Sequence, residues 1–413
     1  MAEQLHKRFT DEQVKLILEL YLKKVVSLQQ ALQQLGCSEQ RFYQLLRAYR
    51  RSPEEFTIAY GRNKPNRRLP EEVDRAIREQ LKIDRQLIAD KKTPLWQYNY
   101  RAIRDEVERL GYKVSDQTVR NRAKEWGFWM PRTRKEKAIP REVVTEAPGM
   151  LLQHDSSTHK WSPYTNEKWA LITTLDDYSR YLVYADFAYP ETTWAHIRAV
   201  ESVILNYGVG LTYYVDSHSI FRFVCHRGSF WRKETKGTDE VLTQWKRVVQ
   251  KCNMQVWHAL SAGAKGKVER PYRWLQDRII RRCAREDVRD IKKGRLVLQE
   301  ELRRYNKRQV HSTTLEIPEL RLRRAIKEGR SCFKPFKLQL PYESTKDVFC
   351  LHDFRKVNGY NQISWKNRNI SIPIRLPQGT EIELHEVSHD NHTELRLWYK
   401  DKVLKVVHFN QKL

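Results

Sequence analysis

Acidic residues are in short supply. The chain sets 51 Asp plus Glu against 77 Lys plus Arg in 413 residues, for a net charge of +26. An imbalance of that size points to a polyanionic partner, usually nucleic acid, over a ribosomal-type or merely soluble basic protein. Cysteines number six, at 37, 225, 252, 283, 332 and 350, with no CxxC pair. That excludes a disulfide framework and suits a reducing, cytoplasmic compartment, nucleoid-associated if the source is bacterial. No apolar run reaches the ~18 residues of a membrane span and no secretory leader is read, which removes membrane and export functions. Solenoid repeats and long low-complexity tracts are missing too. What is present is 40 % apolar residues with 12 Trp, enough for buried cores, in a length that predicts two to four domains.

Residues 1–60 read as a helical unit. Thr10-x-x-Gln13 and Ser27-x-x-Gln30 are capping boxes. Val14, Ile17, Leu18, Tyr21 and Leu22 recur at helical spacing, Gly36 ends the second helix, and Ser38 opens a third with Phe42, Leu45 and Leu46. The layout suits a helix-turn-helix with Arg47, Arg50 and Arg51 toward DNA; a small structural bundle is the alternative. A polar linker leads to a second such unit over 69–130, begun near Pro70. Its last helix, from Ser115 to Gly127, buries Val119, Ala123 and Trp126. Its other faces carry Gln117, Arg120, Asn121 and Lys124, side chains able to read base edges or hold phosphates. Residues 131–148 read as a proline-containing linker.

From 149 to 310 the period changes. KWALITTLD and RYLVYADFAY read as strands around a turn at Asp176-Asp177-Tyr178-Ser179. Thr192 or Thr193 caps a helix, Leu211 to Val215 is a strand, Thr238 caps a second helix, and Met254 to His258 is a short strand. The order β-β-β-α-β-α-β-α predicts a mixed sheet with helices on both faces. Asp155 follows the run GMLLQH and Asp216 follows LTYYV. Glu269 lies in the stretch SAGAKGKVERPYRWLQDRIIRR among Lys265, Lys267, Arg270 and Arg273. Alone it reads first as a surface ion pair. Together, three carboxylates from separate elements would bind two divalent metal ions. Asp176 and Asp177 read as turn formers, and His154, His218 and His258 as core or supporting residues. Cys225, His226, Cys252 and His258 match no zinc-ligand spacing. A basic helical connector spans 311–345. Five short strands in 346–413 (NQISW, NISIPI, TEIELHEV, TELRLWY, KVLKVVHF) predict a small closed all-β barrel.

The strand order, with Asp155 on the first strand, Asp216 after the fourth and AKGKVER at the last helix, resembles the DDE catalytic core. That is the RNase H-like α/β fold of bacterial insertion-sequence transposases and retroviral integrases. The likeness covers roughly 145 to 310, and the flanking helix-turn-helix units and SH3-like C-terminal barrel fit it. It implies a multidomain polynucleotidyl transferase. Asp155, Asp216 and Glu269 would be the metal triad for two Mg²⁺, or Mn²⁺ in their place. The partners would be double-stranded DNA (element ends and target) and further copies of the chain in a synaptic complex, with no membrane. A domesticated, inactive DNA-binding relative and an RNase H-like nuclease without strand transfer are the rivals.

Two departures stand out. Asp216-Ser217-His218 replaces the Asp-Asn-Gly common in the family, and the stretch from Asp216 to Glu269 is longer than usual. The excess falls at 219–237, where aromatics and cations crowd together. Trp231 and Arg232 there would stack on frayed bases and hold phosphates. Packing against the DNA-binding units or a neighbouring subunit is the equal alternative. Pro271 adds a tension, since proline suits only the first turn of a helix.

Overall fold

The structure is a computed structural model describing residues 5–59, 69–131, 145–216, 218–221, 242–259 and 266–410, with backbone alone for 266–271. It divides into two compact units, Met1–Pro70 and Glu71–Leu413. No described helix is long and apolar enough to cross a membrane.

The first unit holds α1 (Leu5–Arg8), α2 (Asp11–Leu22), α3 (Leu28–Leu35) and α4 (Glu39–Arg51). Both expected capping boxes form, so two otherwise orphaned N–H groups are satisfied at each helix start. Gly36 closes α3 at φ 56°, a left-handed conformation glycine adopts without strain. Val14, Leu18, Ala31, Leu35, Phe42, Leu45 and Leu46 make the core, onto which Phe56 and Ile58 fold. The Ile58 amide donates to Asp11 Oδ1 at 2.7 Å and pins that returning segment. Arg47, Arg50 and Arg51 are exposed on α4.

The second unit begins with α5 (Glu71–Ala89), α6 (Tyr100–Arg109) and α7 (Asp116–Glu125). Next come β1 (Leu151–His159), β2 (Trp169–Asp176), β3 (Leu182–Ala188), α8 (Thr193–Tyr207), β4 (Thr212–Val215), α9 (Gln244–Lys251), β5 (Gln255–His258) and α10 (Gly266–Arg285). This is the element order read from the sequence. The sheet runs β3-β2-β1-β4-β5. The first three strands are antiparallel, and β4 and β5 join parallel to β1. Helices cover both faces. α8 and α9 bury Ile197, Val200, Trp245 and Val248 against Leu152, Tyr213 and Val215. On the other face α10 and α11 (Ile291–Arg308) bury Tyr272, Leu275, Ile279 and Val297 against Leu171 and Leu175. Thr192 caps α8. α9 is capped by Thr243; Thr238, expected in that role, lies outside the described residues. α10 starts at Gly266, so Pro271 falls beyond its first turn.

The second helical unit is bound to this core by buried ions. Asp84 on α5 takes Arg281 and Arg285 of α10, and Asp105 on α6 takes Arg278 of α10 at 2.5 Å and Arg304 of α11 at 2.9 Å. α11 is also held through Gly294, where an added Cβ would come within 2.5 Å of the Trp169 ring. Helix propensity alone would reward Gly294→Ala by about 1 kcal/mol. Overpacking a buried indole costs about 1–3 kcal/mol, so we expect a net loss of stability, read as a lower urea midpoint at unchanged slope.

After α12 (Pro318–Lys327), the one helix described in the 311–345 connector, come β6 (Leu351–Lys356), β7 (Gln362–Trp365), β8 (Arg368–Ser371), β9 (Glu381–Ser388), β10 (His392–Tyr399) and β11 (Lys402–Asn410). The region is all-β as expected, but it departs from five strands in a closed ring. β6 is a sixth strand, and the ladders form an open sheet β11-β10-β9-β6 with a separate β7–β8 hairpin. Hairpin and sheet share one core, in which Ile363, Trp365 and Ile370 meet Ile382, Leu384, Leu395 and Leu397.

Candidate active site and comparisons

Alternation along β1 decides which side chains reach the site. Leu152 and His154 turn to the α8/α9 face: His154 stacks on Trp245 at 5.6 Å and meets Phe221 edge-on. Asp155 and Ser157 therefore face α10, where Gln276 Nε2 lies 3.4 Å from Ser157 Oγ. On β4, Tyr213 and Val215 turn to the first face, leaving Asp216 for the second. The parallel register pairs Gln153 with Tyr214. That is the last pair of the ladder: Asp155 lies two residues further along β1, and Asp216 immediately follows β4. The Asp216 carboxylate accepts the His218 amide at 3.0 Å.

Tyr272 on α10 closes the floor. Thr173, directly across from Asp155 on β2, donates its hydroxyl to Tyr272 Oη at 2.8 Å. Burial pushes this phenol well above its ordinary range, and the negative charges of Asp155, Glu191 and Asp216 push it the same way. Tyr272 lies one helical turn past Glu269 on α10. Glu269 lies in α10 with Lys267 and Arg270, though their side chains are outside the described residues; Arg273 is exposed on the same helix. Lys265, Trp231 and Arg232 are outside the described residues, as is the rest of 222–241. Gln117, Arg120, Asn121 and Lys124 recur at three- and four-residue spacing along one exposed face of α7, with Gln117 Nε2 donating to Asn121 at 2.8 Å.

Glu191 is a carboxylate the sequence did not flag, since it precedes the Thr192 cap and reads as part of a helix start. It accepts from Ser156 at 2.6 Å and Thr158 at 3.1 Å on β1, and lies 3.0 Å from His196 Nε2. His196 Nδ1 sits 2.9 Å from His154 Nε2, whose other nitrogen is 2.8 Å from Thr174 Oγ1. This chain braces β1 on both sides of Asp155. The His196 contact holds the Glu191 carboxyl down to about 2 against the opposing effect of burial. Because its folded pKa is depressed, the stability Glu191 adds is present above about 4.5 and drains as pH falls toward 2. Glu191→Gln is expected to unfold earlier than the native chain at pH 7. The gap between their denaturant midpoints should narrow across that acid window. Asp176 and Asp177 keep structural roles: Asp176 accepts the Gly149 and Ser179 amides, both at 2.9 Å, and Asp177 pairs with Arg180 at 2.6 Å.

The donor set at the site, carboxylate oxygens with no thiolate, suits a hard divalent cation such as Mg²⁺.

No family model matches the chain. It is 28 % identical over 262 residues to the putative transposase y4bF of Sinorhizobium fredii, covering 63 % of this chain and 52 % of that one. It is 23 % identical over 318 residues to the transposase for insertion sequence IS1202 of Streptococcus pneumoniae, covering 69 % and 65 %. The chain is similar in sequence to these two transposases. Its matches span between half and two-thirds of these transposases' own lengths. Among solved structures, the HTLV-2 integrase catalytic core domain in complex with magnesium aligns over 42 % of this chain and 96 % of its own. The identity is 14 % and the TM-score 0.31. The simian T-cell lymphotropic virus intasome in complex with the PP2A regulatory subunit B56 gamma aligns over 75 % and 93 %, at 11 % identity and a TM-score of 0.34. Scores this low carry no argument.

Proposed function

We propose that this protein is a DNA transposase that binds the ends of an insertion sequence, cleaves a strand there and joins it to target DNA. What supports the reading is Asp155 on β1 and Asp216 immediately after the neighbouring β4, with Glu269 on α10 one turn before Tyr272, in a chain similar to two transposases. Asp155, Asp216 and Glu269 would hold the metal, two Mg²⁺ or Mn²⁺ ions on this reading. When bound, such ions would supply charge stabilisation for the attacking and leaving oxygens. Glu191, through Ser156 and Thr158, keeps β1 in position. Arg273, with Lys265, Lys267 and Arg270, would neutralise phosphates beside the reacting bond. The α5–α7 unit would grip the ends as a helix-turn-helix, Gln117, Arg120, Asn121 and Lys124 facing the bases. The first helical unit and an SH3-like C-terminal module would add further contact. Joining two ends calls for more than one copy of the chain.

The test is to incubate the full chain with Mg²⁺ and DNA carrying the element's own flanking ends. A joined product supports the proposal. Cleavage without joining would mean a nuclease, and binding alone an inactive DNA-binding relative. Replacing Arg120, Asn121 and Lys124 together should lower discrimination between end DNA and random DNA more than it lowers overall affinity.

A further inference from the structure

Away from the acids, Cys350, His352 and His385 converge at the root of the C-terminal sheet. Cys350 immediately precedes β6, and His352 on β6 lies directly across from His385 on β9. All three are buried, and one donor atom from each lies within 4.8 Å of the others. Cys350 Sγ is 3.4 Å from His352 Nε2, close to the ligand–ligand edge of a tetrahedral zinc site whose bonds are about 2.0–2.3 Å. The remaining nitrogen of His352, Nδ1, is 2.8 Å from Glu383 Oε1, which also lies 3.1 Å from His385 Nε2. A carboxylate behind a histidine fixes its tautomer and leaves the lone pair on the far nitrogen, here the one facing sulfur. His385 Nδ1 is 3.5 Å from Asp347 Oδ1 and makes no hydrogen bond among the described residues.

We propose that Cys350, His352 and His385 form a transition-metal site, with Zn²⁺ the ion their donors suit, that fastens the C-terminal sheet to the α/β core. The fastening follows from what adjoins the cluster. The Gln244 side chain on α9 bonds both backbone groups of His352, at 2.7 and 2.8 Å, and Val348 and Phe349 belong to the α8/α9 core. The site is separate from the oxygen-donor acids and of opposite chemical preference.

Lys251 is the built-in competitor. Its Nζ lies 3.1 Å from His352 Nε2 and 4.5 Å over the Tyr342 ring. Without metal, thiol, imidazoles, lysine and Glu383 would be only a buried charge network. Cobalt substitution of the metal-free full chain separates the two. The expected result is one Co²⁺ per chain with a sulfur-to-cobalt charge-transfer band, displaced by Zn²⁺ and lost in Cys350→Ser. Lys251→Met should tighten the binding, because it removes the cation that occupies Nε2. A folded native chain that shows no sulfur-to-cobalt band overturns the proposal. So does a band that persists undiminished in Cys350→Ser, which would assign it to another cysteine. His385→Gln keeps the thiol and should weaken Co²⁺ binding; unchanged affinity there also overturns it. Asp155, Asp216 and Glu269 offer no sulfur, so the band reports on this site whether or not the transposase reading stands.

Discussion

Asp155→Asn, Asp216→Asn and Glu269→Gln should each cut strand cleavage and joining by about 10³-fold or more, with binding of end DNA retained. Each change removes one negative charge and little volume. The lost effect is several kcal/mol of charge stabilisation around the attacking and leaving oxygens, and about 4 kcal/mol is already a thousandfold in rate. Folding gives the control. The change keeps the shape of a side chain on β1, and Asp216, a like charge, follows the neighbouring β4, so Asp155→Asn should not lower the thermal midpoint. A gel assay with Mg²⁺ and labelled ends reads the products, and a mobility shift reads binding. Near-native strand transfer by any one variant would remove that residue from the proposed triad.

Asp105→Ala is expected to be the most damaging single change to stability. Asp105 is 2 % exposed and faces Arg278, itself 4 % exposed, and Arg304. Burial opposes its charge, yet Arg278 and its neighbours hold the carboxyl below its ordinary value. Removing one partner of a buried pair strands the other charges away from water, at about 3–5 kcal/mol. That is a large part of the 5–15 kcal/mol that holds a typical domain folded. An exposed pair such as Arg75 with Glu71 is worth at most about 1 kcal/mol. A urea midpoint for Asp105→Ala no lower than that of Glu71→Ala would contradict the account.

These ion pairs also mark where reading the sequence stops. Helix starts were legible because a cap is a local matter: Thr10, Ser27, Ser38 and Ser115 act within three residues. The β/α order was legible from periodicity, and with it the placement of Asp155 and Asp216. Arg278 and Arg281 were not singled out, because arginine is seldom buried and their partners lie far away in the chain. Glu191 was hidden for the same reason, since Ser156, Thr158 and His196 gather around it only in the fold. β6 escaped notice because LHDFRK is mostly polar and its inward residue is His352. Cys350 and His385 share no short spacing, so their meeting across β6 and β9 could not be read from the letters.

The pairs Asp84–Arg281 and Asp105–Arg278 bear on how such chains could exchange parts. A segment that recognises DNA is usually pictured as a cassette, free to be swapped so that one catalytic body addresses new ends. Here residues 71–130 carry half of a buried charge lock whose other half lies on α10, the helix that also bears Glu269. A recombinant that imports α5–α7 without the matching arginines inherits unpaired ions in its interior. A viable crossover therefore falls near Pro70, where the compact units part. On the proposed reading of α5–α7, new specificity beyond that point would arise by substitution along the exposed face of α7, with the lock left intact.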